Sequence, residues 1–189
     1  MLLTIILAGL LVGLDRWLKV LAVQYLAPIG TKTLLPGVIG LRYIENDGAA
    51  FSMLAGRQGL LIAVTGVALA VVAYILLFRR PNGKFEYVAL VMVFAGGAGN
   101  LIDRIASGFV VDYIEFLFVN FAIFNLADIL VCVGFAILAV AVIASEQKNS
   151  KMKKEAELQE INDIEMTENE SAKAEDDQPD SGAGRQADG

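Results

Sequence analysis

Apolar residues along this chain gather into four long runs, near residues 3–23, 59–78, 85–105 and 124–144. Each is long enough for a helix to cross the hydrocarbon core of a bilayer, which takes about 20 residues. The pattern predicts an integral membrane protein of the all-α class: four transmembrane helices joined by short connections. The first run, LLTIILAGLLVGLDRWLKVLAV, is broken by Asp15, Arg16 and Lys19. Such charges fit neither a signal peptide, whose apolar region is shorter, nor a simple anchor. Asp15 and Lys19 stand four apart, on one helix face, where they can pair inside the membrane.

The segments between the runs differ from one another. Residues 24–58 are punctuated by Pro28, Gly30, Pro36, Gly37 and Gly40, and LRYI at 41–44 has strand-like composition. Asn46 and Gly48 suit a tight turn, followed by an apolar patch of Ala49, Ala50, Phe51, Met53 and Leu54. This region is expected to form a small, partly β-structured element on the membrane surface. The loop RRPNGK after the second run is basic, and Lys148, Lys151, Lys153 and Lys154 follow the fourth. The positive-inside rule then puts both termini in the cytoplasm and residues 24–58 and 106–123 on the outer side.

Charge separates body from tail. Residues 146–189 carry 13 acidic and 6 basic side chains, leaving 8 and 9 in the first 145 residues. The tail is expected to be largely disordered, with a short helix near 151–161. The chain has no histidine, which excludes Ser-His-Asp triads and HExxH zinc sites. Its one cysteine, Cys132, cannot form an internal disulfide and reads as a packed thiol. The residue set calls for no metal or cofactor.

Against this apolar background the stretch 96–128, GGAGNLIDRIASGFVVDYIEFLFVNFAIFNLAD, stands out. Asn100, Asp103 and Arg104 share a face near the outer end of the third helix, and Asn125 and Asp128 share one at the start of the fourth. Asp112 lies between them in the β-prone run FVVDYIEF. Glycines at 96, 97 and 99 would let a neighbouring helix or a substrate backbone approach closely. All these polar groups arrive at the outer membrane boundary, and ionisable groups beside hydrocarbon point to function.

Two carboxylates in a partly dry site tend to share one proton, so one can activate water while the other protonates a leaving group. Amides and Arg104 could hold a peptide backbone or steady a developing oxyanion. Spacing favours Asp128 as one member and leaves Asp103 and Asp112 competing for the other; Asp103, beside Arg104, also reads as a structural ion pair. Two other classes compete with the enzyme reading. A small proton- or ion-coupled transporter would need polar residues continuing toward the inner side. A non-catalytic scaffold would leave the convergence of acids and amides without a purpose.

Five motifs carry a resemblance: DRWLK at 15–19, NDGAAFS at 46–52, GGAGNLIDR at 96–104, VVDY at 110–113 and FNLAD at 124–128. In this order, over about residues 1–145, the chain resembles the bacterial lipoprotein signal peptidases, or signal peptidase II. The resemblance implies an aspartyl endopeptidase of the cell membrane, sensitive to globomycin, with its site at the extracytoplasmic face. It would cut diacylglyceryl-modified prolipoproteins before the lipidated cysteine. It places the catalytic pair on Asp112 and Asp128, and substrate-binding or supporting roles on Asp15, Lys19, Asn46, Gly96, Asn100, Arg104 and Asn125. Residues 37–56 would form the family's periplasmic β-cradle. Prolipoproteins and membrane lipids are the expected partners; nucleic acid is not, and a monomer is expected. Three departures stand out: Arg16 occupies a position where glutamine is more usual, the connection between Asp112 and Asp128 is short, and the acidic tail extends beyond the family pattern.

Overall fold

The computed structural model describes residues 2–48, 53–79, 81 and 83–176. Of the sequence-based expectations, the apolar residues 49–51 and the basic Arg80 lie outside this set. The chain divides into two compact units, Met1–Val142 and Ile143–Gly189. The first holds everything that bears on the site.

Helix α1 (Leu2–Leu21) ends in a widened turn at Ala22–Leu26, where the Ala27 N–H donates to the Ala22 carbonyl five residues back at 2.9 Å. The chain then enters an antiparallel hairpin of β1 (Thr31–Leu35) and β2 (Ile39–Asn46). Helix α2 (Gln58–Tyr74) also closes on a widened turn, Ile75–Arg79. Helix α3 (Lys84–Ser107) leads through Gly108, at φ 80°, into β3 (Val110–Phe116). Only a residue that tolerates the left-handed region ends a helix this way without strain. Helix α4 (Leu126–Asp176) follows.

Among the described residues, three segments are long and apolar enough to cross a membrane: Gln58–Arg79, Lys84–Ser107 and Leu126–Gln159. The fourth expected span, α1, has 20 residues but carries Asp15, Arg16 and Lys19. The structure accounts for them: Asp15 and Lys19 are buried, at 0% and 2% exposure, so the α1 face that carries them is not an apolar one. The expectation for the tail also differs from the structure, which is helical through Asp176. Residues 151–160, KMKKEAELQE, are nearly all strong helix formers, and Lys151 approaches Glu155 at 3.9 Å one turn on. Cys132, expected as a packed thiol, is exposed on the protein surface of α4, on a segment long and apolar enough to meet lipid.

Helix α3 is the centre of the bundle, with Ala89, Val91 and Ala95 fully buried. Its three clustered glycines meet three different neighbours. A Cβ at Gly96 would lie 2.9 Å from Val131 Cγ2 on α4, one at Gly97 2.8 Å from Leu69 Cδ2 on α2, and one at Gly99 2.5 Å from Asp15 Oδ2 on α1. The glycine run is thus a helix-packing device that admits three partners at backbone distance.

The sheet has the order β1-β2-β3. The strand expected at 41–44 lies inside β2, and the β-prone run after α3 supplies β3, pairing Leu41 with Ile114, Ile44 with Asp112 and Asn46 with Val110. A register shift between Leu41 and Ile44 marks a bulge beside Asp112. Val111 and Tyr113 pack with Ala22 and Leu26 into a small core that fixes the sheet to the end of α1.

Candidate active site

Asn125 is the residue from which the site is built. It precedes the first helical residue of α4, and its side-chain Oδ1 accepts from the Asp128 N–H at 3.1 Å. Asp128 replies: its Oδ2 accepts from the Asn125 N–H at 3.0 Å. This reciprocal arrangement is a capping box, which satisfies two N–H groups that a helix start would leave bare. It also fixes the Asp128 carboxylate against the helix end. The Asn125 amide keeps Nδ2 for another partner, and donates it to Asp112 Oδ1 at 2.6 Å. One asparagine therefore ties α4 to β3 and touches both aspartates.

Each carboxylate receives a second amide. Asn46, at the end of β2, donates Nδ2 to Asp112 Oδ2 at 2.9 Å, and Asn100 on α3 donates Nδ2 to Asp128 Oδ1 at 2.8 Å. Neutral donors thus hold both acids, Asp112 buried and Asp128 half-buried. Burial pushes the Asp112 carboxyl up to about 6; the hydrogen bond from Asn46 opposes that rise, and the negative charge of Asp128 adds to it. The neighbouring Tyr113 phenol is likewise pushed up to about 12, mainly by burial.

Behind the amides lies a second cluster, built from ions. Lys19 Nζ sits 2.8 Å from Asp15 Oδ2 and 2.7 Å from Asp103 Oδ2, and donates to Asn100 Oδ1 at 2.8 Å. Arg16 closes on the other oxygen of Asp103. Asp15 Oδ1 accepts from the Ala127 N–H at 3.0 Å, adding a further cap to α4. The Arg104 guanidinium donates to the Gly48 carbonyl at 2.7 Å, tying α3 to the turn after β2, where Asn46 Oδ1 accepts from the Gly48 N–H at 3.0 Å.

Every sequence-predicted site residue except Gly96 enters this polar network; Gly96 lies behind it, on the α3–α4 contact. Asp103 lies between Lys19 and Arg16, outside the contact between Asp112, Asn125 and Asp128. Two participants carried no assigned role in the sequence. Arg16 is the partner of Asp103, a pairing between distant helices that local spacing does not reveal. Gln58, at the start of α2, donates Nε2 to the Asp47 carbonyl at 3.1 Å and to the Gly108 carbonyl, joining the turn after β2 to the end of α3.

Helices of membrane-spanning length around a largely buried set of aspartates, amides and paired cations define a helical membrane protein with an enzyme-like polar site. Comparison with known proteins gives the family. A family model described as signal peptidase (SPase) II matches residues 7–144, and the chain belongs to that family. The lipoprotein signal peptidase of Streptococcus pneumoniae is 42% identical over 139 residues, covering 72% of this chain and 90% of that protein. That of Enterococcus faecalis is 37% identical over 142 residues, covering 75% and 88%. Two solved structures, each described as a bacterial membrane enzyme determined by the in meso method, superpose with TM-scores of 0.73 and 0.68. They share 27% and 28% identity and cover 78% and 75% of this chain, and 92% and 93% of theirs. The chain is thus a multi-pass bacterial membrane protein of a protease family.

Proposed function

We propose that the protein is an intramembrane aspartyl endopeptidase that removes signal peptides from diacylglyceryl-modified prolipoproteins, cutting before the lipidated cysteine. The observation that carries this reading is the Asn125 amide, which engages Asp112 at 2.6 Å while its own backbone and side chain hold Asp128. Two carboxylates so joined in a partly dry site, in contact with neutral donors, form a pair that shares a proton.

In this mechanism Asp112 holds the shared proton and ionised Asp128 draws a proton from a water lying between them. The water oxygen attacks the scissile carbonyl, and the carbonyl oxygen takes the Asp112 proton. The proton gained by Asp128 then passes to the departing amide nitrogen as the C–N bond breaks, and a hydroxyl of the tetrahedral carbon returns its proton to Asp112 as the carbonyl re-forms. Asn46, Asn100 and Asn125 hold the carboxylates in register, so little reorganisation is needed when charge moves. Arg104 is the nearby cation that balances a singly ionised pair.

The bundle reads as four spans, with α1 the fourth despite its charges, because those charges pair within the protein. Arg79, Lys84 and the lysines 148–154 set both termini in the cytoplasm, and the site then lies at the extracytoplasmic boundary. A substrate anchored by lipid in the outer leaflet would present its scissile bond at that depth. Residues 31–46 would serve as the cradle on which the extended peptide lies, and residues 146–189 as a cytoplasmic tail.

The test is cleavage of a purified diacylglyceryl-modified prolipoprotein, with and without globomycin. A single cut before the lipidated cysteine, blocked by globomycin, is expected. Failure to cut the lipidated substrate, or full processing by Asp112→Asn or Asp128→Asn, would sink the reading.

A further inference from the structure

Asp15 and Asp103 are both buried, at 0% and 3% exposure, and both lie against the ammonium of Lys19, at 2.8 and 2.7 Å. One ammonium between two carboxylates leaves a net negative charge in a dry interior, which is costly. Arg16 removes it. Its side chain is 38% exposed, reaches in from the end of α1, and closes on the Asp103 oxygen that Lys19 does not contact. The four side chains together are neutral.

This cluster abuts the aspartate pair at two points. Lys19 donates to Asn100, whose amide donates to Asp128 Oδ1 at 2.8 Å, and Asp15 accepts from the N–H of Ala127, the residue before Asp128. An uncompensated charge there acts on the pair through protein, where screening is weak. The remaining charges on the elements around the site are Arg104 on α3, bonded to the Gly48 and Asn100 carbonyls, and, in the turn after β2 and on the sheet, Glu45, Asp47, Arg57 and the Arg42–Glu115 pair. Asp47, Arg42 and Arg57 reach solvent, as does the Glu45 carboxylate, and their fields are damped by it.

We infer that Arg16 is a positioning residue that sets the pH range of cleavage, because it completes the neutral cluster behind Asp128. The inference rests on the aspartyl reading above. Without the Arg16 charge the cluster carries −1 beside the pair, and a like charge makes the shared proton harder to lose. The alkaline limb of the pH–rate profile then moves to higher pH.

The experiment measures kcat/KM against pH on a diacylglyceryl-modified prolipoprotein, using the purified full-length protein in lipid nanodiscs. Arg16→Gln, which keeps a donor for Asp103 but drops the charge, is expected to raise the alkaline limb by about 0.5 pH unit. Arg16→Lys restores the wild-type limb. Asp103→Asn leaves the cluster at +1 and lowers the limb, and Arg16→Gln with Asp103→Asn is neutral again and returns it. The pair of opposite shifts and their cancellation give a test even where one variant folds poorly. An unmoved limb in Arg16→Gln and Asp103→Asn, or a uniform fall in rate with no shift, overturns the inference and leaves Arg16 a structural clamp. Cleavage by Asp112→Asn in the same assay would instead overturn the aspartyl reading, whatever Arg16 does.

Discussion

Four aspartates meet in the polar interior of this bundle, and they fall into two pairs with opposite surroundings. Asp15 and Asp103 meet cations: Lys19 at 2.8 and 2.7 Å, with Arg16 on the far oxygen of Asp103. Asp112 and Asp128 meet amides: Asn46 and Asn125 on one, Asn100 and the Asn125 backbone on the other. A carboxylate with a cation in contact is fixed in place by a charge-assisted bond, which suits a frame. A carboxylate held by neutral donors keeps its geometry without a contacting charge to commit its protonation state, which suits proton transfer. Under the proposed mechanism the same residue type serves as scaffold and as reagent, and the nearest partner marks which.

Neutralising an acid of each pair should separate the two surroundings most strongly. Asp112→Asn and Asp128→Asn preserve shape and should each lower prolipoprotein cleavage by about 10³-fold or more, since in the proposed mechanism each removes a proton-transfer group. Both should accumulate lipidated, uncleaved precursor in cells while retaining folded yield. Asp15→Asn should affect thermal stability more than rate. Cleavage lost equally in all three, with folded yield intact, would erase the distinction between frame and reagent.

The next largest effect falls on the frame. Lys19→Met leaves Asp15 and Asp103 buried against each other's charge, and removing one partner of a buried ion pair costs about 3–5 kcal/mol. A fall of Tm in detergent of many degrees is expected, partly restored by adding Asp103→Asn. A Lys19→Met protein as stable as wild type would show that the cluster holds nothing together.

These two pairs were unequally legible in the sequence. The apolar runs forecast the helices because burial in lipid dictates composition directly, and the i,i+4 spacing of Asp15 and Lys19 forecast their contact, seen at 2.8 Å. The convergence of Asn100, Asp112, Asn125 and Asp128 followed from where helices end. Spacing did not separate Asp103 from Asp112, because what distinguishes them is a pairing of α1 with α3, far apart in the chain and set by packing. Gly99 is the packing fact behind it: a Cβ there would stand 2.5 Å from Asp15 Oδ2, so only glycine lets α1 and α3 come this close. The union of β3 with the hairpin was hidden for the same reason: strand partners distant in sequence leave no local mark.

Asn125 belongs to both settings, since its amide engages Asp112 and its backbone and side chain cap α4 with Asp128. Asn125→Ala removes the donor to Asp112 and the side-chain cap on the Asp128 N–H. The lost cap should cost about 1 kcal/mol of stability, and the lost preorganisation about 10²-fold in kcat. Asn125→Asp keeps the cap but places a third carboxylate between two others, and should be slower still than its stability explains. If Asn125→Ala lost only the stability expected of a cap, with kcat unchanged, the amide would have no part in aligning the pair.

The remaining effect concerns pH. The Asp112 carboxyl is raised from 3.8 to about 6 by burial, so the folded protein binds its proton more tightly than the unfolded chain. The sign follows: the stabilising effect of that proton is fully present below about pH 4 and is lost as pH rises through about 6, after which its contribution is flat. Two pH units correspond to roughly 2–3 kcal/mol. Wild type measured against Asp112→Asn should therefore lose stability between about pH 4 and 6, while the variant, with no proton to release there, shows no such slope. Cleavage should share the same titration, its rate falling as pH rises past about 6 because the acid that protonates the oxyanion is being emptied. Asp15→Asn leaves the cluster behind the pair at +1 and should lower the pH of this transition without removing it, as Asp103→Asn does. A transition that persisted in Asp112→Asn would move the shared proton to another group, and with it the line drawn between the two pairs.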